Sequence, residues 1–187
     1  MAVPSVKQTQ NLTTAEELER LDLPGKSTEL IRGHLVVREP PGTRHGIIAA
    51  TLCYFLADFV RRNQLGAVSA QDTGFKIETN PDTVRAPDVA YLSKDRMSAV
   101  ARRGYAPVAP DLIAEIVSPD DRPGELLAKV AAWLEAGTRL AWVIDPERTV
   151  ARVYRADGSM ATIGLEGSID GEDVLPGFSC ALSEILS

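Results

Sequence analysis

The sequence predicts a mixed α/β fold in which a central sheet carries helices on its faces. Two amphipathic runs with helical spacing, from Thr43 to Asn63 and from Pro123 to Ala136, stand among short runs rich in β-formers. Helices and strands in such an order are typical of α+β or mixed α/β domains. The 187 residues suffice for one buried core. We expect a flexible N-terminus over residues 1–12 and a single domain over residues 13–187.

The N-terminal third predicts a short helix, a hairpin and a long helix in turn. Thr13 or Thr14 is a suitable N-cap for a helix that reaches Leu21. Two β-rich runs flank Arg32-Gly33, which predicts a hairpin. The long helix has one apolar face, formed by Ile48, Leu52, Phe55, Leu56 and Phe59.

The rest of the chain predicts several strands around one further helix. We expect one strand from Val84 to Leu92, with Pro87 either on an edge or at the start of its paired region. In the helix that Pro123 starts, the core-facing residues should be Leu126, Leu127, Val130 and Leu134. Other strands are predicted at Ala67–Ala70, Gly74–Glu78, Pro110–Val117, Arg139–Ile144 and Thr149–Arg155, with a last helical turn at Leu182–Leu186.

The composition is ordinary for a globular protein and argues against several classes. The formal net charge of −6 lacks the basic balance usual for nucleic-acid binding, although a metal site itself concentrates carboxylates. Cys53 and Cys180 form neither a disulfide framework nor a zinc-binding spacing. The N-terminus lacks the apolar core of a signal peptide, and the longest apolar run, Ile47 to Phe55, is too short to span a bilayer. We therefore expect a cytoplasmic protein.

Acidic residues stand in two apolar runs of the middle region, where an ordinary core is apolar only. Asp88 opens DVAYL, while Asp111 and Glu115 lie in DLIAEIVSP. Carboxylates are rarely buried unless they are paired or bound to metal. Glu115 lies near the C-terminal end of its strand, the region where open α/β sheets bind ligands. A metal-dependent nuclease site explains these acids, but an ion pair between Glu115 and an arginine would also bury it.

Three further residues are candidates for the same site. Lys129 falls at the border of its helix's apolar face, so its ammonium could reach back toward Glu115; an exposed pair with Glu125 is the alternative. Glu29 stands in the first hairpin strand, where a solvated strand face is the simpler interpretation. His45, in the first turn of the long helix, is either a substrate-positioning residue or a hydrogen-bonded structural one.

The ordered motifs resemble a known family. PDVAYL followed by AEIVSP resembles the PD-(D/E)XK nuclease superfamily, and the wider set resembles its Uma-type restriction endonuclease family, long known as a domain of unknown function. The matching segments are TAEELERL, ELIRGHLV, PPGTRHGII, APDVAYL, DLIAEIVSPDDR, KVAAWLEAGTRLAWVIDPE and LPGF. The resemblance covers most of the chain and implies a restriction-endonuclease-like core with a divalent metal site.

The resemblance also implies roles for individual residues. Asp88 matches the motif aspartate and Glu115 the motif glutamate, while Glu29 and His45 match an early glutamate and the histidine that opens the long helix. The implied ligands of Mg²⁺ or Mn²⁺ are Asp88, Glu115 and a backbone carbonyl near Ile116, with Glu29 as a further candidate ligand.

One position departs from the superfamily pattern. Val117 stands two residues after the motif glutamate, where many members have lysine. In the Uma-type branch a lysine on the following helix replaces it, and Lys129 fits that position. Its implied role is to orient the attacking water or to offset developing charge.

The function that the resemblance implies is metal-dependent endonucleolytic hydrolysis of DNA. Two alternatives stay open: a catalytically silent nucleic-acid- or protein-binding module on the same fold, and an RNA-cleaving nuclease. Because cleavage of both strands of a duplex needs two sites, and cyclic dimers are the commonest oligomers, we expect a homodimer.

Overall fold

The computed structural model describes residues 12–187, so residues 1–11 of the expected N-terminal segment lie outside the described residues. The helices are α1 (Ala15–Glu19), α2 (Thr43–Arg62), α3 (Lys94–Met97), α4 (Pro123–Glu135) and α5 (Leu182–Leu186). The strands are β1 (Ser27–Ile31), β2 (His34–Arg38), β3 (Gly66–Ala70), β4 (Phe75–Glu78), β5 (Thr83–Arg85), β6 (Val89–Ser93), β7 (Leu112–Ile116), β8 (Leu140–Asp145), β9 (Val150–Arg155), β10 (Met160–Gly164), β11 (Ser168–Asp170) and β12 (Ser179–Ala181).

A six-stranded sheet of order β10-β9-β8-β7-β6-β3 forms the centre of the fold. A second sheet has four strands in the order β2-β1-β5-β4, and a third consists of β11 paired with β12. Strands β7 and β8 pair in parallel, whereas the other neighbours in the central sheet are antiparallel. The central sheet is therefore mixed, and the predicted mixed α/β class is confirmed.

Helix α4 connects the two parallel strands, because parallel neighbours need a crossover connection. It covers one face of the central sheet. Its buried residues Val130 and Trp133 pack against Ile113 of β7 and Val143 of β8. Glu115 lies two residues after Ile113 in β7 and so shares its face of the sheet. Glu115 therefore also points toward α4.

The predicted core face of α4 is wrong at one position. Leu127 is 51% exposed, whereas Trp133 is fully buried. With Leu126 as reference, Trp133 lies only about 20° away around the helix and Leu127 about 100° away. Leu127 therefore falls past the edge of the apolar stripe, and the larger aromatic residue fills the centre.

Helix α2 and the C-terminal segment cover the opposite face of the central sheet. Ile48, Leu52 and Leu56 are buried there in one cluster with Leu112 and Ala114 of β7. The helical spacing of the α2 residues and the two-residue spacing of the strand residues match the two periodicities that the sequence shows. This packing also fixes the position of the first turn of α2 relative to the sheet.

The predicted N-terminal hairpin is confirmed. Strands β1 and β2 pair in antiparallel register, with Leu30 opposite Leu35. The two residues between them, Arg32 and Gly33, have positive φ angles of 48° and 78°. Two left-handed residues in succession are typical of the type I′ turns that close tight hairpins.

The predicted single strand from Val84 to Leu92 is wrong. The structure divides it into β5, which belongs to the four-stranded sheet, and β6, which belongs to the central sheet. Pro87 lies at the break, because proline lacks the N–H that a continuous ladder requires. The expectation that Pro87 could precede a paired region fits β6, an interior strand.

No helix within residues 12–187 has the length and apolar character needed to cross a membrane. Cys53 and Cys180 are both free cysteines.

Candidate active site

One cleft brings together all five side chains to which the family resemblance assigns a role. It has a volume of about 650 Å³ and lies between the hairpin, the first turn of α2, the break between β5 and β6, and α4. The five candidate side chains in its lining are Glu29, His45, Asp88, Glu115 and Lys129. The backbone position that the resemblance implies, Ile116, also lines it.

Asp88 reaches the cleft because it directly precedes β6, beside the end of the antiparallel neighbour β7. Its N–H donates to the Ala114 carbonyl at 3.1 Å, and the Ile116 N–H donates to its Oδ2 at 2.7 Å. Burial alone would raise the pKa of Asp88, but the hydrogen bond and charge of His45 and the Ile116 N–H lower it below its ordinary value. Asp88 is thus an ionised carboxylate against the end of β7.

Glu115 is a buried carboxylate with a donor on each oxygen. The Trp133 indole N–H donates to Oε1 at 3.2 Å, and the Lys129 ammonium donates to Oε2 at 2.9 Å. Burial raises the pKa of Glu115 to about 7; the Lys129 charge opposes this rise, while the Asp88 and Glu29 charges add to it. The sequence left open an ion pair between Glu115 and an arginine. In the structure Glu115 pairs with Lys129 instead.

Lys129 projects from α4 toward the sheet and lies among acceptors. Besides Glu115, its Nζ is 2.8 Å from the Ala86 carbonyl and 3.3 Å from Glu29 Oε1. Burial lowers the pKa of Lys129, but the charges of Glu115, Glu29 and Asp88 outweigh it and raise the pKa above its ordinary value. Lys129 is therefore a protonated ammonium inside the cleft.

The alternative partner of Lys129 pairs elsewhere. Glu125, one turn earlier on α4, lies 3.2 Å from Arg122 and 3.8 Å from Arg38. The helical spacing permits a contact between Glu125 and Lys129, but the three acceptors behind Lys129 hold it toward the sheet.

Glu29 occupies a buried position, not the solvated strand face that its neighbours suggest. The Arg85 guanidinium donates to its Oε2 at 3.0 Å, and the Ala86 N–H donates to its Oε1 at 3.0 Å. Burial alone would raise the pKa of Glu29, but the charges of Lys129 and Arg85 lower it. The four-stranded sheet thus contributes β1 to the wall of the cleft, and Arg85 of β5 holds Glu29 in place there.

His45 stands on the far side of Asp88 with a partner at each ring nitrogen. Nε2 is 3.2 Å from Asp88 Oδ2, and Nδ1 is 3.0 Å from the amide nitrogen of Gln71. Gln71 Nε2 also lies 3.3 Å from Asp88 Oδ1. Burial lowers the pKa of His45, but the hydrogen bond and charge of Asp88 outweigh it and raise the pKa.

Sequence reasoning missed three residues of this network: Trp133, which donates to Glu115, and also Gln71 and Arg85. Gln71 follows β3 in a turn, and Arg85 ends a short strand, so neither carries a motif. The one available signal was the charge of Arg85 in the apolar run that precedes Asp88.

Asp111 has no part in the cleft. It lies at the opposite end of β7, where its carboxylate accepts from the Ser93 N–H at 2.7 Å and pairs with Arg96 at 3.1 Å. Its burial is thus explained by an ion pair with an arginine, the alternative that the sequence left open for Glu115.

A family profile described as "Uma2: Putative restriction endonuclease" matches residues 15–183. The chain belongs to the Uma2 family. Membership confirms the resemblance in the motifs and indicates a nuclease, a hydrolase whose substrate is nucleic acid.

A solved structure shows the same fold as this Uma2 chain. It is described as the "Crystal structure of a putative nuclease belonging to DUF820 from Anabaena variabilis ATCC 29413 at 1.96 A resolution". The TM-score is 0.79 at 18% sequence identity, over 92% of this chain and 97% of that one. A search of curated proteins found no match.

The donor set of the Uma2 site suits a hard divalent cation, which families with a restriction-endonuclease-like core generally use. Asp88 and Glu115 offer carboxylate oxygens, the ligands that Mg²⁺ and Mn²⁺ prefer. Among residues 12–187, no group of three or more His, Cys, Asp or Glu side chains is placed to hold a metal. Two carboxylates with a backbone carbonyl leave room for the waters that Mg²⁺ usually keeps.

Proposed function

We propose that the protein is a Mg²⁺- or Mn²⁺-dependent endonuclease that hydrolyses phosphodiester bonds in DNA. The observation that carries this proposal is the position of Lys129, 2.9 Å from Glu115 Oε2, in a cleft that Asp88 also lines. Two carboxylates and a protonated lysine from three separate elements serve no packing purpose in a core. They fit the nuclease class that the Uma2 family indicates.

Asp88, Glu115 and the Ile116 carbonyl would hold the cation. When bound, such a cation polarises the phosphate and lowers the pKa of a water molecule. The Ile116 N–H and His45 fix the Asp88 carboxylate, and the Trp133 indole fixes that of Glu115. These contacts orient both ligands before a cation arrives, which reduces the cost of ordering them on binding.

Lys129 and His45 would act on the substrate. The Lys129 ammonium would offset the charge that develops on the phosphate during hydrolysis or orient the attacking water. His45, at the side of Asp88 away from Lys129, would contact the nucleic-acid backbone next to the scissile bond. Both groups lie at the cleft, with side-chain exposures of 16% and 10%.

The charge of the cleft supports a requirement for added cations. Arg38 and Lys129 are the lysine and arginine residues in the described lining, and acidic side chains far outnumber them. A polyanion would be repelled by this surface in the absence of other charges. Divalent cations bound at the carboxylates reverse that local repulsion.

The test is cleavage of a supercoiled plasmid by the purified protein with Mg²⁺ or Mn²⁺, with and without EDTA. We expect nicked or linear DNA that EDTA abolishes. Asp88→Asn is the matched inactive control, because it keeps the side-chain shape and an acceptor for the Ile116 N–H. Cleavage that persists in excess EDTA would contradict the proposal.

A labelled single-stranded RNA of the same sequence is assayed in parallel. Faster cleavage of RNA than of DNA would replace the DNA substrate with RNA. If neither substrate is cut and calorimetry detects no cation binding, the protein is a silent binding module on this fold.

We also propose a homodimer, because a duplex cut on both strands presents two scissile bonds. Light scattering at micromolar concentration should give twice the mass of the 20.2 kDa chain. A monomer would mean that the two strands are cut in separate encounters.

A further inference from the structure

The Lys129 ammonium lies among three oxygen atoms of the protein. These are the Ala86 carbonyl at 2.8 Å, Glu115 Oε2 at 2.9 Å and Glu29 Oε1 at 3.3 Å. A lysine side chain has three N–H donors and no acceptor. The contacts with Ala86 and Glu115 are hydrogen bonds, and the contact with Glu29 is an ion pair.

Glu115 is the acceptor that Lys129 would give up on cation binding. Glu115 is a proposed ligand of the cation, and its Oε2 accepts from the ammonium. A divalent cation and an ammonium at one carboxylate repel each other, since both carry positive charge. The contact between Lys129 and Glu115 would therefore lengthen, and one N–H would turn toward the substrate.

Glu29 is placed to keep Lys129 at the site when that happens. Both of its oxygens are already engaged, Oε2 by Arg85 and Oε1 by the Ala86 N–H and Lys129. Arg85 stands directly behind Glu29 with its side chain 7% exposed, so a positive charge is buried beside this carboxylate. A second divalent cation on Glu29 would have to displace that guanidinium or lie next to it.

We infer that Glu29, held by Arg85, is a positioning residue for Lys129 and not a metal ligand. The inference rests on the proposed function in so far as a cation binds at Glu115. It differs from the ligand role that the family resemblance suggests for Glu29.

The same contacts fix the backbone two residues before Asp88. The Ala86 N–H donates to Glu29 and the Ala86 carbonyl accepts from Lys129, so this peptide segment is held from both sides. Ala86 lies in the break between β5 and β6, where no strand pairing holds the chain. Hydrogen bonds with Glu29 and Lys129 thus hold the backbone where strand pairing is interrupted, just before Asp88.

A double-mutant cycle in the metal-free protein tests the contact between the two side chains. The variants are Glu29→Gln, Lys129→Met and their combination, with urea unfolding in the presence of EDTA as the measurement. We expect non-additive effects, a factor of at least about threefold in the unfolding constant, because contacting charges couple. The matched control replaces Glu29→Gln with Glu125→Gln, whose cycle with Lys129→Met should be additive.

Calorimetric titration with Mn²⁺ tests the ligand role of Glu29. Glu29→Gln should weaken Mn²⁺ binding by no more than about threefold, the effect of one charge outside the coordination shell. Lys129→Met should bind Mn²⁺ more tightly than the wild type by about tenfold, because a competing cation is removed. In the cleavage assay, Glu29→Gln should lower kcat with little change in KM.

Each result decides between positioning and ligation. An additive Glu29–Lys129 cycle, or a loss of more than about tenfold in Mn²⁺ affinity in Glu29→Gln, would overturn the inference. If Glu29→Gln fails to fold, the same substitution in an Arg85→Gln background replaces it in both measurements, because that combination leaves no unpaired guanidinium beside residue 29. If the wild type binds no Mn²⁺ and cuts nothing, the proposed function fails, while the metal-free cycle still decides the positioning role.

Discussion

The amide nitrogen of Gln71 lies 3.0 Å from His45 Nδ1, so the turn after β3 orients the histidine at the start of α2. The same nitrogen is 3.3 Å from Asp88 Oδ1. An amide N–H₂ group facing a carboxylate is the favourable orientation, because the amide oxygen would be repelled there. Gln71 therefore donates to Asp88, and its contact with Nδ1 holds the imidazole with Nε2 toward Asp88.

His45→Ala and Gln71→Ala should each lower kcat/KM for cleavage by about tenfold, the scale of a lost orienting contact. Mn²⁺ affinity should change little, because Asp88 keeps its hydrogen bond from the Ile116 N–H. His34→Ala is the matched control, since His34 is exposed on β2. A collapse of Mn²⁺ affinity in His45→Ala would make His45 a ligand.

Asp88→Asn and Glu115→Gln should each abolish detectable cation binding and reduce cleavage by about 10²–10³-fold, because each amide lacks the charge that the cation requires. Circular dichroism should show a retained fold, since both amides keep the side-chain shape and one acceptor oxygen. Full activity in either variant would remove that residue from the site. Loss of the fold in both would mean that the carboxylates are structural.

Lys129→Ala should lower the cleavage rate by about 10²-fold, as loss of a positioned charge commonly does. Lys129→Arg should restore little of it, because a planar guanidinium cannot occupy the place of a compact ammonium among three acceptors. Glu125→Ala is the control on the same helix, one turn away, and should remain fully active. Equal activity of Lys129→Ala and Glu125→Ala would exclude Lys129 from the catalytic machinery.

The elements of the fold were predictable wherever local signals were strong. The Arg32-Gly33 turn and the apolar stripe of α2 each follow from a few neighbouring residues, and both are present in the structure. The division of the stretch from Val84 to Leu92 was not predictable, because β5 and β6 belong to different sheets and sheet membership depends on distant partners. Pro87 indicated an interruption of the strand, but it did not indicate that the two parts belong to different sheets.

The candidate site shows the same limit at the level of side chains. Asp88 and Glu115 were conspicuous because carboxylates are unusual in apolar runs. Gln71 gave no such signal and the charge of Arg85 only a weak one, since a glutamine in a turn and an arginine at a strand end are common. Their roles arise only when β3 and β5 are brought next to α2 and β1, contacts between residues 26 and 56 positions apart.

The pH dependence of stability should report on Glu115 in the metal-free protein. Its pKa is raised from 4.5 to about 7 by burial, so the folded state binds the Glu115 proton more tightly than the unfolded chain does. The stabilisation from this proton is complete below pH 4.5 and is lost as the pH rises through 7. The full effect corresponds to about 3 kcal/mol, since each pKa unit is worth about 1.4 kcal/mol.

The Glu115→Gln variant serves as the reference, because glutamine at position 115 does not titrate. Its stability still changes with pH through the other titratable groups, including His45. We expect the free energy of unfolding of the wild type, relative to Glu115→Gln, to decrease between pH 5 and pH 8 in urea titrations with EDTA. Saturating Mg²⁺ should reverse this decrease, because a bound cation keeps Glu115 ionised and stabilises the folded wild type alone. A relative stability that instead increases with pH in EDTA would mean that the Lys129 charge outweighs burial and holds the pKa of Glu115 below its ordinary value.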